Sequence, residues 1–407
     1  MKKIVDADVF SNYFLVGSLV AVSGFPFFMT AQINFLILFV IASFFYFKKS
    51  LQPNPKILWI IIPFVVVEVL QFLFIKPFDP IMITGTFIRM FLGFFIVTLA
   101  GKNFIRYFTN IIVFFSVISF FFFIPSLLSS SFFNFFKNSI CPYFVSPFAD
   151  TEGFYTVWPT NIIFCFHDCV LEEFRNPGPF WEPGLFAVFL NLALLFNLIL
   201  EKKLFSIKNG ILILALLSTL STAGYIAFFM LVFFFFQSNQ SFLRRLLLAL
   251  FILPVILTLY FSLDFLSTKV EQNISLAGTT TSSRFGSAAV DLADFMSSPF
   301  IGWGRGVMRY GGRPFAFFSE EQHRNNSVTD LLATYGIFIF VLYFANYYLT
   351  LKAICKDNNF NLNFAFLALV VILALGFSQS IFMKPVFYSI LFIQFNYLKK
   401  QPDENFH

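Results

Sequence analysis

Apolar runs of roughly 17 to 25 residues recur along the whole chain between short polar stretches, and such runs are long enough to cross about 30 Å of hydrocarbon as helices. Helices rather than barrel strands are therefore indicated. Of the 407 residues, 58% are hydrophobic and only 12% charged, which leaves too little polar surface to cover a soluble globule. The 69 phenylalanines include the runs Phe120 to Phe123 and Phe233 to Phe236. They read more economically as apolar membrane positions than as aromatic platforms for carbohydrate.

Lys2 and Lys3, followed by an apolar stretch and the small residues Ser23 and Gly24, give the N-terminus a superficial likeness to a signal peptide. Asp6 and Asp8 interrupt its basic region, and further spans follow, so a retained first helix is expected. The formal charge of +6 points to no nucleic acid, because the basic residues are spread between apolar segments rather than gathered on one face.

About twelve spans are expected, at 10 to 28, 33 to 47, 57 to 75, 83 to 100, 105 to 127, 184 to 200, 209 to 221, 223 to 237, 246 to 263, 327 to 350, 363 to 381 and 384 to 398. The pair between 209 and 237 is too long for one upright helix and short for two, with its break set at Leu220 to Gly224. With the N-terminus inside, Lys48, Lys49, Lys56, Lys102, Arg106, Lys202, Lys203, Lys208, Arg244, Arg245, Lys352, Lys356, Lys399 and Lys400 all fall on the cytoplasmic side. Only Lys76 and Lys384 fall on short opposite turns, and both termini are expected in the cytoplasm. The fold class is thus an all-α polytopic membrane protein. N-terminal helices (1–127), an outer loop (128–183), central helices (184–263), a second outer loop (264–326) and C-terminal helices with a tail (327–407) follow in order. Both loops exceed ordinary connection lengths, which marks them as functional segments with structure of their own.

Two charges lie inside expected spans. Glu68 and Arg89 would each sit roughly 10 Å below the outer surface on adjacent antiparallel helices. Either they neutralise one another, or Arg89 faces a ligand's phosphate. The first loop ends with Arg175-Asn-Pro-Gly-Pro-Phe-Trp-Glu-Pro-Gly-Leu-Phe-Ala187, where Pro-Gly turns fix the path, Pro183 suits a first helical turn and Glu182 complements its positive end. In the second loop, Phe285, Ala288, Ala289, Leu292 and Phe295 recur at helical spacing, which predicts a short amphipathic helix on the membrane surface with Arg284 near its start. The glycines of Gly302-Trp-Gly304 are expected to let backbone approach a ligand. Arg305, Arg309 and Arg313 supply planar, permanently charged groups matched to phosphate oxygens, unless they are ordinary loop charges.

Cys141, Cys165 and Cys169 lie in the first outer loop, where a disulfide from Cys141 to either of the others is expected. One histidine, His167, beside uncertain thiols does not make a metal site, and no metal or cofactor is expected.

The order of these segments resembles the O-antigen polymerase and O-antigen ligase family of membrane enzymes. Arg175 to Ala187 resembles that family's Arg, Gly, Phe, Glu-Pro, small-residue motif, and Arg284 to Gly306 resembles its Arg, hydrophobic helix, Pro, Gly-x-Gly element. Asn325-Asn-Ser-Val-Thr-Asp-Leu-Leu-Ala-Thr-Tyr-Gly336 resembles the motif opening the next helix. Where the family commonly has His immediately before Asn, this chain has Asn325, with His323 two residues upstream. The Glu-Pro-Gly wording at Glu182 to Gly184 is more polymerase-like than ligase-like. The resemblance implies a GT-C-like architecture and transfer of a sugar chain from undecaprenyl diphosphate to a saccharide hydroxyl at the outer face, with inversion at C1. It implies a membrane-lipid environment and a chain-length regulator as a partner. In that reaction Arg175 and Arg284, then Arg305, stabilise the departing diphosphate, with Glu182 and His323 as candidate bases. Arg89, Arg309, Arg313, Asn325 and Asn326 are candidate substrate-binding residues. A ligase would differ in its acceptor, and a lipid-linked sugar transporter is the alternative of another class.

Overall fold

The computed structural model describes residues 2–29, 32–52, 54–75, 80–145, 158–239, 284–305 and 326–398. Among these the fold is all helical, 81% helix with no strand. Helix α1 (Lys2–Gly24) stops at Phe25, before the end of the expected first span, and the single turn α2 (Pro26–Met29) leads to α3 (Gln32–Lys48). Helices α4 (Leu58–Phe74), α5 (Pro80–Ala100) and α6 (Phe104–Leu128) follow. The loop carries the short α7 (Ser130–Phe135) and α8 (Cys169–Glu172). Then come α9 (Pro183–Glu201), α10 (Ile207–Ser218), α11 (Thr222–Asn239) and the surface helix α12 (Arg284–Ser297). Helices α13 (Ser327–Asp357), α14 (Asn363–Ser378) and α15 (Pro385–Leu398) close the bundle. Each expected span is helical within a few residues, apart from 246 to 263, which lies outside the described residues.

Among the described residues, four helical stretches are long and apolar enough to cross a membrane: Pro55–Phe74, Pro80–Leu128, Pro183–Glu201 and Ser327–Asp357. Ile33–Lys48, Ile207–Ser218, Thr222–Ser238 and Asn363–Ser378 are apolar but shorter. The 49-residue stretch from Pro80 is two helices, because the chain turns back at Gly101, whose φ of +59° costs glycine nothing. The break expected near Leu220 is present: α10 ends at Ser218, Leu220 takes a φ of 45° and α11 starts at Thr222. Helix α9 is the axis, with 94% of its apolar window buried. Around it, large side chains such as Phe47, Trp59, Phe74 and Phe121 are 70–78% exposed. Apolar exposure on that scale belongs in lipid, and the fold is that of a membrane-embedded helical protein.

The helices alternate in direction and define two ends. At the basic end, Lys102 pairs with Asp357, Lys49 with Asp8, and Asn361 donates to the Ser238 carbonyl. At the other, the loop end, the Ser327 hydroxyl lies 2.8 Å from the Gly376 carbonyl and 2.7 Å from that of Gln379, and the Val386 N–H donates to the Ser23 hydroxyl. The first long loop has a core of its own there, built from Phe123, Phe133, Cys141, Phe164, Phe166 and Val170.

Candidate functional site: a buried charge cluster at the loop end

The site is organised by a break in α13. Gly336 has φ +74° and ψ −179°, so the helix is interrupted after its first nine residues, about 13 Å from its start. A broken helix inside an apolar bundle needs partners for its freed backbone groups. Ser298 to Gly304 supplies them. The Trp303 and Gly304 N–H groups donate to the carbonyls of Ala333 and Thr334 (2.9 Å each), and the Ile337 N–H donates to the Pro299 carbonyl (2.9 Å). A Cβ at Gly302 would strike the Thr334 carbonyl, and one at Gly336 that of Phe300. Gly302 thus admits the backbone of α13 and Gly304 the Gln71 side chain. Gln71 of α4 fastens the joint, its amide donating to the Ile301 and Thr334 carbonyls.

The clamp delivers Arg305 to the loop end of the bundle. Its guanidinium donates to the Thr86 hydroxyl of α5 at 2.8 Å, beside the negative end of the first half of α13. Glu68, 4% exposed, and the fully buried Tyr335 and Tyr388 lie within electrostatic reach of it. The expected pair is corrected here: Glu68 and Arg89 form no ion pair, and the cation facing Glu68 is Arg305. Arg89 lies over the Phe35 ring of α3 at 5.0 Å, and its guanidinium has no hydrogen-bond partner among the described residues. It is in reach of Arg305, Tyr335 and Tyr388. Glu68 Oε1, Gln71 Oε1 and the hydroxyls of Tyr335 and Tyr388 are buried together here with no hydrogen bond of ordinary geometry among the described residues, Tyr335 lying in interaction range of Glu68, Thr86 and Tyr388.

A second group of charges adjoins the first. Glu182 is the N-cap residue of α9, in extended conformation with Pro183 at the first helical position, as the sequence suggests. Its carboxylate does not cap the helix; it faces Gln379, Arg284 and Lys384. The ammonium of Lys384 stands over the Trp181 ring at 4.0 Å and within reach of Arg89, which links the two groups. Burial lowers the pKa of Arg284 from the ordinary arginine value and Glu182 opposes that shift.

Arg284 opens α12 as expected, and the helix is amphipathic. Ala288, Asp291 and Asp294 face the bundle, whereas Phe285, Leu292 and Met296 are 44%, 45% and 74% exposed. Asp291 accepts from the Thr329 hydroxyl at 2.8 Å, and the Asp294 carbonyl takes the Trp303 indole N–H at 2.8 Å. Its polar face thus docks on α13 and its apolar face looks outward.

Arg175 is held apart, its Nη1 paired with Glu173 at 2.8 Å and its Nε donating to the Thr219 carbonyl at the α10–α11 turn. The expected disulfide is absent: Cys141, Cys165 and Cys169 are all free and buried. Burial pushes the thiols of Cys141 and Cys169 up to about 12 and that of Cys165 well above its ordinary value, which keeps them protonated and unreactive. His167 accepts the Cys169 N–H at Nδ1, 3.1 Å away, and burial lowers its pKa below 6.5.

Asn326 is the N-cap of α13, its side-chain oxygen accepting from Val328 and Thr329 N–H while its buried amide nitrogen has no partner among the described residues. Arg309, Arg313, His323 and Asn325 lie outside the described residues. Lys384, Gln71, Thr86, Tyr335 and Tyr388 are the site residues that sequence reasoning missed. Only Lys384 carried a signal, as a lone charge on an otherwise uncharged outer turn. No protein-family model matches the chain, and no curated protein matches it either.

Proposed function

We propose that this chain is a membrane glycosyltransferase that polymerises undecaprenyl-diphosphate-linked oligosaccharide repeats at the outer face of the bacterial cytoplasmic membrane, as the O-antigen polymerase and ligase family does. The observation that carries the reading is the gathering of Arg89, Arg284, Arg305 and Lys384 around two carboxylates at one end of an apolar bundle. Charges inside a bilayer are costly and are retained where they act. A lipid diphosphate brings its charge to that depth. As the bond from the sugar C1 to the diphosphate oxygen breaks, negative charge grows on the diphosphate, and fixed guanidinium and ammonium groups stabilise it. The acceptor hydroxyl attacks C1 from the opposite face and its proton passes to a base, for which Glu182, beside Arg284, is the described candidate.

Twelve spans, a GT-C-like architecture and cytoplasmic termini belong to the same reading.

A transporter of lipid-linked sugar is the second reading, favoured by the interruption of α13 beside Glu68 and Arg305, since broken helices with buried charges mark transport sites. The test is the glycan ladder of a deletion strain complemented with wild type, Arg284→Ala or Arg305→Ala at matched membrane abundance. Collapse to a single capped repeat in the deletion and both variants is the expected result. Long lipid-linked chains without surface attachment would identify a ligase. Repeats trapped in the inner leaflet would identify a transporter.

A further inference from the structure

At the basic end of the bundle, α13 and α14 are joined by a tight turn. Asn359 takes the left-handed conformation at φ 48°, which asparagine tolerates better than most residues, and the Asn358 amide donates to the Ile354 carbonyl at 2.9 Å. Phe360 then turns inward, buried and stacked on Phe235 of α11 with ring centroids 5.9 Å apart. With Phe360 pinned inside, the outward side of the junction is an open groove of about 510 Å³. Tyr348 and Lys352 of α13 line one wall, and Leu362, Asn363, Phe366 and Leu367 the other. Leu362 and Phe366 are exposed, so the groove opens where lipid lies.

The groove is graded in polarity. Lys352 and Asn363 lie at its outer end, and Tyr348, Phe366 and Leu367 lie about one turn deeper along the two helices. Lys352 stands over the Tyr348 ring at 5.8 Å, and Lys356 follows one turn on along the same face of α13, both exposed. Neither lysine is in an ion pair among the described residues, whereas Asp8 and Asp357 at this end are held by Lys49 and Lys102. None of the lining residues is acidic. We propose that this groove binds a net-anionic glycerophospholipid from the leaflet at the basic end, its phosphate on Lys352 and Lys356 and an acyl chain against Leu362, Phe366 and Leu367. Basic pockets between membrane helices hold anionic head groups in this way, because the lysines meet the lipid's charge at the depth where it lies. A zwitterionic lipid would bring an ammonium of its own to a place with two cations and no acidic lining. The site lies at the opposite end of the bundle from Glu182, Arg284 and Arg305, and it stands whether or not the chain transfers sugars.

The test uses the full chain in lipid nanodiscs, with phosphatidylglycerol and phosphatidylethanolamine probes that carry a photoreactive diazirine at the acyl carbons nearest the glycerol. The expected result is labelling within 348–367 that is about tenfold stronger with the phosphatidylglycerol probe. Lys352→Gln combined with Lys356→Gln should lower that labelling by about tenfold, to the level of the zwitterionic probe. Both lysines are exposed, so the double variant keeps its fold, which an unchanged unfolding midpoint checks. Lys48→Gln is the control. Lys48 lies over the Phe44 ring at 5.9 Å much as Lys352 lies over Tyr348, but on α3, and its loss should leave the labelling unchanged. Equal labelling by the two probes, labelling that survives the double substitution, or an equal loss in Lys48→Gln would overturn the proposal, the last by reducing it to general surface attraction. Preferential displacement of the probe by a polyprenyl phosphate, or loss of labelling on self-association of the chain, would overturn it in favour of another occupant.

Discussion

At the basic end of the bundle Lys102 meets Asp357 and Lys49 meets Asp8 on side chains 29% to 55% exposed. At the loop end Glu68 and Tyr388 are buried and Arg89 is half-buried, and Glu68 and Arg89 do not pair with one another. Exposed ion pairs are cheap to form and contribute little, because water competes for both partners. Buried charges without matched partners are expensive, and a fold keeps them only if something else is gained. The same residue types are thus disposed differently at the two ends: in exposed ion pairs at one, drawn into the bundle without matched ion-pair partners at the other.

The contrast can be broken in several places. The largest effect is expected from Gly336→Ala, which sets a side chain against the Phe300 carbonyl in a backbone region open almost only to glycine. A loss on the order of 3 kcal/mol or more is expected, read as a collapse of monodisperse protein in detergent. Next come Arg284→Ala and Arg305→Ala, each expected to cut repeat transfer on the order of a hundredfold at matched abundance; the glycan ladder reads this, and activity near wild type in both would remove the cluster from the reaction. Asn326→Ala removes the two hydrogen bonds that cap α13 and should cost about 1 kcal/mol, visible as a lower unfolding midpoint.

A smaller effect depends on pH. The folded state holds His167 neutral, so its contribution is complete above about pH 6.5 and is lost as acid charges the ring and breaks the acceptor contact to Cys169. Hydrogen-exchange protection across 164–172, taken relative to the intrinsic rate at each pH, should therefore fall between pH 7 and pH 5 in wild type, and His167→Gln should flatten that dependence. The smallest effect is expected at the basic end, where Lys102→Ala should change stability by no more than about 0.5 kcal/mol. A loss there comparable to that of Arg305→Ala would abolish the distinction between the ends.

Helix positions were legible in the sequence because hydropathy and turn residues act locally. The break at Leu220, the start of α9 at Pro183 and the start of α12 at Arg284 all follow from such signals. Partnerships between distant segments were not. The expected depths put Glu68 and Arg89 level on consecutive helices, yet consecutive helices need not pack together: α4 lies against α13, and Glu68 interacts with Arg305. The apolar stripe of α12 was visible, but lipid and protein core are equally apolar, so the stripe alone could not say that Asp291 would face inward. The glycines of Gly302-Trp-Gly304 correctly signalled a close backbone approach. What approaches is α13, because Gly336, far along the chain, opens the helix to receive them.

The joint between Ser298 to Gly304 and α13 is made largely of main-chain bonds. It stores its information in where glycine stands rather than in which side chains surround it. Such a joint tolerates drift: Phe300 is 62% exposed and can change its chemistry without the clamp losing a hydrogen bond. Among related chains the segment could diverge until little resemblance remained outside its glycines, while still carrying an arginine to the same point beside the bundle.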